Sequence, residues 1–264
     1  MNFHKMNGAG NDFIVIDNRT LNLTTAQLSA LARYLCHRRF GIGADGLMAV
    51  EPPKQGGDFA MGFFNSDGTI GEMCGNGARC ICRYAYDHGI ARENMVVQTD
   101  AGLVYGRRLS AELYRVRLNE PGVADLHRRP DAAYIELGNP GVPHSVTHVP
   151  GLDWAKRDEL RDYARSLRFA PEFPKGANAN LYDWLDGTTI RILTFERGVE
   201  DYTLACGTGS ASTAVKLWME GKVPGGSLTV KNPGGDLKVT IEGTGRVEKL
   251  WLEGPTEVVR EYEV

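Results

Sequence analysis

Apolar residues along the chain follow two spacings, and each spacing predicts one kind of secondary structure. A spacing of three to four predicts an amphipathic helix over LTTAQLSALARYLCHRRFG, with Thr24 or Thr25 as its N-cap and Gly41 as its C-cap. The same spacing predicts a helix over LDWAKRDELRDYARSLRF and two more that follow MCGNGARC and ACGTGSAS. Short apolar runs bounded by Gly, Pro or Asp predict strands, the first over Phe13 to Asp17. The pattern therefore predicts an α+β protein.

The order of the predicted elements repeats in the second half of the chain. MCGNGARC contains Cys74 and ACGTGSAS contains Cys206. A glycine ends the helix that follows each motif, Gly89 in the first half and Gly221 in the second. Each glycine lies 15 residues after its cysteine (89 − 74 and 221 − 206). Each helix leads to a strand, a turn that contains glycine and another strand. This repetition indicates an internal duplication. It predicts two pseudo-symmetric lobes, each a mostly antiparallel sheet wrapped around a central helix, with a cleft between them.

The predicted lobe boundary lies where the order of elements begins to repeat. The N-terminal lobe is predicted to span residues 1–118 and to carry Cys74. The C-terminal lobe is predicted to span residues 119–254 and to carry Cys206. The final strand, 255–264, is free to return to the first lobe.

Composition narrows the functional classes. The chain has 264 residues, of which 42% are hydrophobic and 24% charged, as is ordinary for a globular protein. A formal net charge of −3 provides no basic field for nucleic acid or an anionic membrane. No apolar run approaches the roughly 20 residues of a membrane span, and the start, MNFHKMNGAGNDF, lacks the apolar stretch of a secretory signal. We therefore expect a cytoplasmic protein.

The cysteines indicate reactive or buried thiols instead of a structural framework. The chain contains Cys36, Cys74, Cys80, Cys82 and Cys206. An odd number in a chain of this length argues against a secreted disulfide scaffold. The C-x-C spacing of Cys80 and Cys82 has no matching second pair, so we expect no metal site. A thiol-disulfide enzyme would need C-x-x-C, which is absent.

Two of these cysteines, Cys74 and Cys206, stand where a Gly-rich turn enters a helix. The first N–H groups of a helix lack intrahelical acceptors, and this end binds carboxylates and lowers the pKa of a nearby thiol. Two such thiols on opposite sides of one carbon would remove and deliver a proton, which inverts a stereocentre. The spacing alone leaves open whether the two loops face each other. Neither loop matches a P-loop or a dinucleotide-binding fingerprint.

Six motifs in order, GAGNDFIVID, GIGADG, FNSDG, EMCGNGARC, FERG and ACGTGSAS, closely resemble the diaminopimelate epimerase family over nearly the whole chain. The resemblance implies the two-lobed fold and a reaction without pyridoxal phosphate or another cofactor. It implies two-base proton transfer that interconverts LL- and meso-2,6-diaminopimelate, in lysine and peptidoglycan precursor biosynthesis. Homodimers are common in the family.

The resemblance also assigns roles to matching residues. Cys74 and Cys206 match the catalytic pair. The residues that match substrate-binding positions are Asn11, Asn65, Gly75, Asn76, Asn178, Glu196, Arg197, Gly207 and Thr208. The glycines and their neighbours at the two helix starts offer N–H groups to the reacting carboxylate. Arg197 binds the distal carboxylate, and Glu196 places amino groups and tunes a thiol. His144 matches a histidine near the first catalytic cysteine, and a purely structural role for it stays open.

Two positions depart from the family pattern. Many members carry Asn-Pro-His where this chain has Val142-Pro143-His144. In those members the Asn contacts the distal end of the substrate. In this chain Asn139 lies three residues before Val142 (142 − 139). Some members carry Gln after the Asp of GxGxD, where this chain has Gly46. Loss of one amide contact costs about 1 kcal/mol if water replaces it. The departures concern the distal end of the substrate and leave the two thiols untouched.

Three other functions stay open at this point. The same two-cysteine fold serves other amino-acid racemases, including a histidine racemase, although Arg197 favours a substrate with a second carboxylate. An amino-acid-binding protein would hold the carboxylate at the helix ends without exchanging the α-proton. A racemase that uses pyridoxal phosphate could employ any lysine. The sequence leaves open which cysteine is the thiolate at rest, the oligomeric state and whether the lobes are open or closed.

Overall fold

The structure, a computed structural model, describes residues 2–71 and 73–263. The chain forms two units: unit 1 holds Met1–Val116 and Gly254–Val264, and unit 2 holds Arg117–Glu253. The predicted boundary after residue 118 lies close to this division. None of the helices in the described part of the chain is long and apolar enough to cross a membrane.

Residues 2–71 and 73–263 form sixteen strands and five α-helices. The helices are α1 (Asn18–Leu21), α2 (Thr25–Leu35), α3 (Gly75–Asp87), α4 (Arg161–Arg168) and α5 (Gly207–Met219). The strands are β1 (Asn2–Gly8), β2 (Asn11–Asp17), β3 (Gly46–Glu51), β4 (Phe59–Asn65), β5 (Asn94–Thr99), β6 (Gly102–Arg108), β7 (Leu113–Leu118), β8 (Pro121–Asp125), β9 (Ala133–Gly138), β10 (Gly141–His148), β11 (Asn178–Asp186), β12 (Thr189–Phe195), β13 (Ser227–Asn232), β14 (Gly235–Glu242), β15 (Lys249–Pro255) and β16 (Glu257–Glu263).

The strand order confirms the predicted duplication. In unit 1 the order is β16-β1-β2-β3-β4-β5-β6-β7, with parallel pairing only at β2–β3 and β4–β5. In unit 2 the order is β8-β9-β10-β11-β12-β13-β14-β15, with parallel pairing only at β10–β11 and β12–β13. The parallel pairs therefore occupy the third-and-fourth and fifth-and-sixth places in both sheets. Each unit is a mostly antiparallel sheet with a helix packed against it, which is the predicted α+β fold.

The long helices α3 and α5 link the second parallel pair of each sheet. Each has 13 residues, and ten of them are buried. Helix α3 packs on β1, β2, β3 and β6, whereas α5 packs on β9, β10, β11, β13 and β14. Burial on nearly all sides places both helices in the interior of their units.

Both long helices end in the same way, as the sequence predicts. Gly89 and Gly221 take left-handed backbone angles, with φ of 65° and 72°. The next residue in each case donates its N–H back to the helix, from Ile90 to the carbonyl of Ala85 at 2.8 Å and from Lys222 to the carbonyl of Leu217 at 2.9 Å. This arrangement satisfies the last carbonyls of a helix and favours glycine.

The prediction for α2 is correct at its start and wrong at its end. Thr24 is the N-cap, and its side chain forms a reciprocal capping box with Gln27. The helix ends at Leu35 with Cys36 as C-cap, so Gly41 is not the C-cap. The chain folds back on the last turn here, and a Cβ at Gly41 would lie 2.2 Å from the carbonyl oxygen of Tyr34. Gly41 therefore permits a close backbone approach.

Four further elements differ from the sequence prediction. The helix predicted over LDWAKRDELRDYARSLRF is a 3-10 helix, Trp154–Leu160, with a kink at Lys156 (φ −103°, ψ 15°), and α4 follows it. Helix α1 and strands β1 and β8 are additional. The strands NFHKMNG and PGVAD lack a regular apolar alternation, and pairing with a neighbouring strand defines them.

Candidate active site

Cys74 and Cys206 have the same local backbone. Cys74 is the N-cap of α3 with φ −132° and ψ 119°, and Cys206 is the N-cap of α5 with φ −120° and ψ 109°. In each case the following glycine, Gly75 or Gly207, is the first helical residue. Each thiol therefore stands at a helix start, where the first N–H groups lack intrahelical acceptors and the helix dipole has its positive end.

Side-chain amides organise the start of α3. Asn76, which is buried, donates from Nδ2 to Oδ1 of Asn11 at 2.6 Å. Asn11 in turn donates to Oδ2 of Asp45 at 3.1 Å, and Asp45 Oδ1 accepts from Nη2 of Arg38 at 2.7 Å. The structure thus brings together two predicted site residues, 65 positions apart. Sequence reasoning did not single out Asp45 or Arg38, although Asp45 belongs to the GIGADG motif.

Asn65 lies at the end of β4, directly opposite Gly46 in β3. Its Nδ2 donates to Oγ1 of Thr69, the residue that follows the FNSDG motif, at 2.9 Å. A Cβ at Gly46 would lie 2.6 Å from the carbonyl oxygen of Phe64 and 2.7 Å from Cε2 of Phe63. The aromatic ring of Phe63 therefore occupies the space in which a glutamine side chain would begin.

Cys206 is buried, with 7% of its surface exposed. Its Sγ accepts a hydrogen bond from the N–H of Gly209 at 3.3 Å and lies 3.6 Å from Oγ1 of Thr208. Burial raises the pKa of Cys206 well above its ordinary value, and the neighbouring charge of Glu196 raises this pKa further. The hydrogen bonds from Thr208 and Gly209 oppose that shift. The result is a protonated thiol at neutral pH.

The turn that carries Glu196 and Arg197 is held by Asn178. The N–H of Arg197 donates to Oδ1 of Asn178 at 2.8 Å, and Nδ2 of Asn178 donates to the carbonyl of Pro143 at 3.2 Å. Nη1 of Arg197 donates to the carbonyl of Lys175 at 3.0 Å. Oε1 of Glu196 accepts from Oγ1 of Thr203 at 2.6 Å. The Arg197 side chain is exposed and the Asn178 amide is buried.

His144 is fully buried in β10. Burial, aided by the positive charge of Arg197, lowers the pKa of His144 to about 3, so its ring is neutral at physiological pH. Nδ1 lies 3.1 Å from Nδ2 of Asn180, whereas Nε2 has no hydrogen-bond partner among residues 2–71 and 73–263. Asn180 also accepts from Oγ1 of Thr194 at 3.0 Å. Sequence reasoning missed Asn180, which stands two residues after Asn178 in KGANANL.

The departure at Val142 leaves an apolar side chain at the surface. Val142 is 41% exposed and pairs with Leu137 across β9 and β10. Asn139 lies in the exposed turn between the same strands. Position 142 therefore offers no hydrogen bond from its side chain.

The other cysteines lie in the protein interior. Cys36, Cys80 and Cys82 are buried, and burial raises the pKa of each thiol to about 12. They are protonated and inert at neutral pH. The described residues include no cluster of three or more side chains with metal-binding donors.

Comparison with known proteins identifies the family. A family model described as diaminopimelate epimerase matches residues 3–107 and 137–258. The chain belongs to the diaminopimelate epimerase family. It is similar to the diaminopimelate epimerase of Aquifex aeolicus, with 36% identity over 271 residues that cover 96% of this chain and 94% of that protein. It is also 37% identical to the diaminopimelate epimerase of Chlorobaculum tepidum over 259 residues, covering 96% and 97% of the two chains. As a member of this family the chain is an isomerase.

Solved structures with low sequence identity share the fold of the diaminopimelate epimerase family. A Bacillus anthracis phenazine biosynthesis protein of the PhzF family has a TM-score of 0.76 at 14% identity, covering 100% of this chain and 98% of that one. A hydroxyproline epimerase from Agrobacterium vitis with bound trans-4-OH-L-proline has a TM-score of 0.70 at 16% identity, covering 99% and 91%. These likenesses show the fold alone.

Proposed function

We propose that the chain interconverts LL- and meso-diaminopimelate by proton transfer at the α-carbon, with Cys74 and Cys206 as the two acid–base groups and no cofactor. The observation that carries the proposal is that both cysteines are N-caps of equivalent helices in a member of this family. The reaction would serve lysine and peptidoglycan precursor synthesis in the cytoplasm, with the enzyme acting as a homodimer.

The proton balance of the proposed reaction is complete with two thiols. A thiolate removes the α-proton, and the electron pair of the broken C–H bond delocalises into the adjacent carboxylate. The second thiol gives its proton to the opposite face of the carbon. One S–H bond forms and one breaks, so no oxidant or reductant is needed. Cys206 is suited to the role of proton donor because burial and Glu196 raise its pKa.

The helix starts supply the electrostatic part of the proposed mechanism. Backbone N–H groups of Gly75 and Asn76, and those of Gly207 and Thr208, bind the reacting carboxylate and stabilise the negative charge that develops as the α-proton leaves. In unit 1, the hydrogen bond from Asn76 to Asn11 fixes this segment of backbone.

The distal end of the substrate is assigned to a second group of polar residues. Arg197 binds the distal carboxylate through its planar guanidinium, and Asn65 and Asn178 provide amides. Glu196 pairs with an amino group. His144 acts through Asn180 as a neutral structural support because its ring is buried.

One observation favours a second candidate, an epimerase or racemase with a less polar distal group in its substrate. Val142 presents an apolar side chain and the ring of Phe63 occupies the space beside Gly46, at positions where relatives can carry amides. Histidine and other amino acids therefore belong in the test.

The deciding experiment is α-proton exchange in heavy water, followed by proton NMR, with reduced protein and no added cofactor. LL-diaminopimelate is compared with L-histidine, L-glutamate and L-lysine. We expect exchange with diaminopimelate alone. Cys74→Ala and Cys206→Ala should abolish inversion, whereas Cys36→Ala should preserve it. Exchange only with another amino acid would change the assigned substrate and retain the two-thiol mechanism. Full activity of Cys206→Ala would contradict that mechanism.

A further inference from the structure

Arg79, in the second turn of α3, is a fully buried charged side chain. Its guanidinium makes one weak hydrogen bond within the described residues, from Nη1 to the carbonyl of Gly75 at 3.4 Å. Nε and Nη2 have no hydrogen-bond acceptor in the part of the chain that the structure describes. A buried guanidinium without a paired anion is strongly unfavourable. Burial lowers the pKa of Arg79 to about 10, which still leaves it cationic at neutral pH.

The guanidinium lies at the level of the first helical turn. Side chains of an α-helix lean toward its N-terminus, and the bond to Gly75 directs the side chain of Arg79 that way. Gly75 follows Cys74 directly. The Arg79 charge therefore adds to the positive end of the helix dipole, and it interacts electrostatically with the Cys74 thiol.

Three thiols interact electrostatically with Arg79: Cys80, Cys74 and Cys82. Cys80 and Cys82 are fully buried, and their raised pKa keeps them neutral. Cys74 is half-buried. Among the three, Cys74 alone combines a helix N-terminus with access to solvent, and this setting favours a thiolate.

Acidic groups on or next to the strands that pack on α3 have partners of their own, so none of them is an evident counter-ion for Arg79. Asp12 pairs with Lys5, Asp17 with Arg19 and Asp45 with Arg38, and Glu51 accepts from Nδ2 of Asn18. Glu261 lies beside His4, and Glu93 lies beside Arg108. One turn further along α3, Arg83 pairs with Asp87.

The two equivalent helices, α3 in unit 1 and α5 in unit 2, have side chains of opposite charge near their starts. Counting from the cysteines, Ala211 in α5 takes the place of Arg79 in α3. Phe64 and Phe195 form equivalent isolated bridges, so Glu196 takes the place of Asn65. Unit 1 therefore has a cation near its cysteine, and unit 2 has an anion near its cysteine.

We propose that Arg79 is a positioning residue that holds Cys74 as the thiolate. Cys74 is then the resting base, and Cys206, beside Glu196, is the resting acid. The duplication provides two equal helix starts, and a single charged residue at each makes them chemically unequal. The use of the thiolate as a base rests on the proposed function, whereas its ionisation does not.

The test is the pH dependence of iodoacetamide alkylation at Cys74, resolved by mass spectrometry of peptides and performed without substrate. In the wild-type protein we expect an apparent pKa of Cys74 below the ordinary thiol value of about 8.5. Arg79→Met should raise it by roughly 1–3 pH units, and Arg79→Lys should keep it low. Arg83→Met, which removes a cation on the same helix that pairs with Asp87, is the control and should leave the pKa of Cys74 unchanged.

Two results would overturn the inference. One is an ordinary or raised apparent pKa of Cys74 in the wild-type protein, which decides the matter even if Arg79→Met does not fold. The other is an unchanged profile in folded Arg79→Met. The proposed function is tested apart from this, because alkylation needs no substrate. With diaminopimelate as substrate, kcat/KM should rise with pH as Cys74 loses its proton. In Arg79→Met this rise should occur at a higher pH, because the pKa of the Cys74 thiol is higher.

Discussion

At the scale of single residues, the surroundings of Cys206 depend on the absence of a side chain at position 209. Gly209 donates its N–H to Sγ of Cys206. A Cβ at this position would lie 2.2 Å from Oδ1 of Asn180 and 3.2 Å from Sγ of Cys206. Helix α5 therefore approaches β11 as closely as a glycine allows, and this contact positions the thiol.

Gly209→Ala should disturb both stability and catalysis. We expect the free energy of unfolding to fall by about 1–3 kcal/mol, because the added methyl group must displace a buried amide. The value of kcat should fall because Cys206 moves with the helix start. Urea denaturation and the epimerisation assay measure the two effects. Gly225→Ala, where a Cβ meets nothing within 4 Å, is the control and should change neither. A fully stable and active Gly209→Ala would contradict the prediction.

His144 should make the protein sensitive to acid. Its pKa is lowered from 6.5 to about 3 in the folded chain, so between these values the unfolded chain binds a proton that the folded chain does not. Acidification through this window therefore lowers the free energy of unfolding, by about 1.4 kcal/mol per pH unit. His144→Gln should remove this slope in urea denaturation at several pH values. Parallel pH profiles for the two proteins would contradict it.

At the scale of elements, the helices α3 and α5 begin and end alike. We expect the glycines that follow them to contribute equally to the free energy of unfolding. Gly89 and Gly221 have positive φ, and a Cβ at either position would meet no atom within 4 Å. The cost of a side chain there is consequently one of backbone conformation and not of packing.

Gly89→Ala and Gly221→Ala should each lower the free energy of unfolding by about 1–2 kcal/mol. The two losses should be similar, because the two helix ends are equivalent. Gly89→Asn and Gly221→Asn should cost less, since asparagine tolerates left-handed angles better than alanine. Thermal and urea denaturation measure all four variants. A large loss at one helix end and none at the other would show that the ends are not equivalent.

At the scale of the whole molecule, the C-terminal strand completes the unit in which the chain begins. Strand β16 pairs antiparallel with β1, and Tyr262 stacks on Phe3 with ring centroids 5.1 Å apart. The N–H of Thr256 donates to the carbonyl of Glu112 at 2.7 Å. Unit 1 is thus assembled from both ends of the chain.

Tyr262→Ala should lower the free energy of unfolding by about 1–3 kcal/mol, because it removes the stacked ring that joins the two terminal strands. Hydrogen exchange should become faster in β1 than elsewhere. Val259→Ala, on the same strand and 49% exposed, should leave both quantities close to those of the wild-type protein. Unchanged protection of β1 in Tyr262→Ala would argue against this role of β16.

Features that depend on short stretches of chain can be read from the sequence alone. They include the two helix starts, the glycines that end those helices, the N-cap of α2 and most strands, which follow from local spacing and turn residues. The duplication is also readable, because both halves repeat the same order of elements. Strands β1 and β8 were not predicted, since their residues alternate weakly and only pairing defines them.

The chemical differences between the two cysteines arise from contacts that form only in the folded chain. Glu196 reaches Cys206 from the end of β12, and Asn11 reaches Asn76 from β2. Arg79 follows Cys74 in the motif, yet nothing local reveals that its guanidinium is buried. A pKa depends on desolvation and on charges within a few ångströms, and these are set by segments that are distant in sequence. The pattern of residues therefore identifies the thiols, and the packing around each determines its protonation.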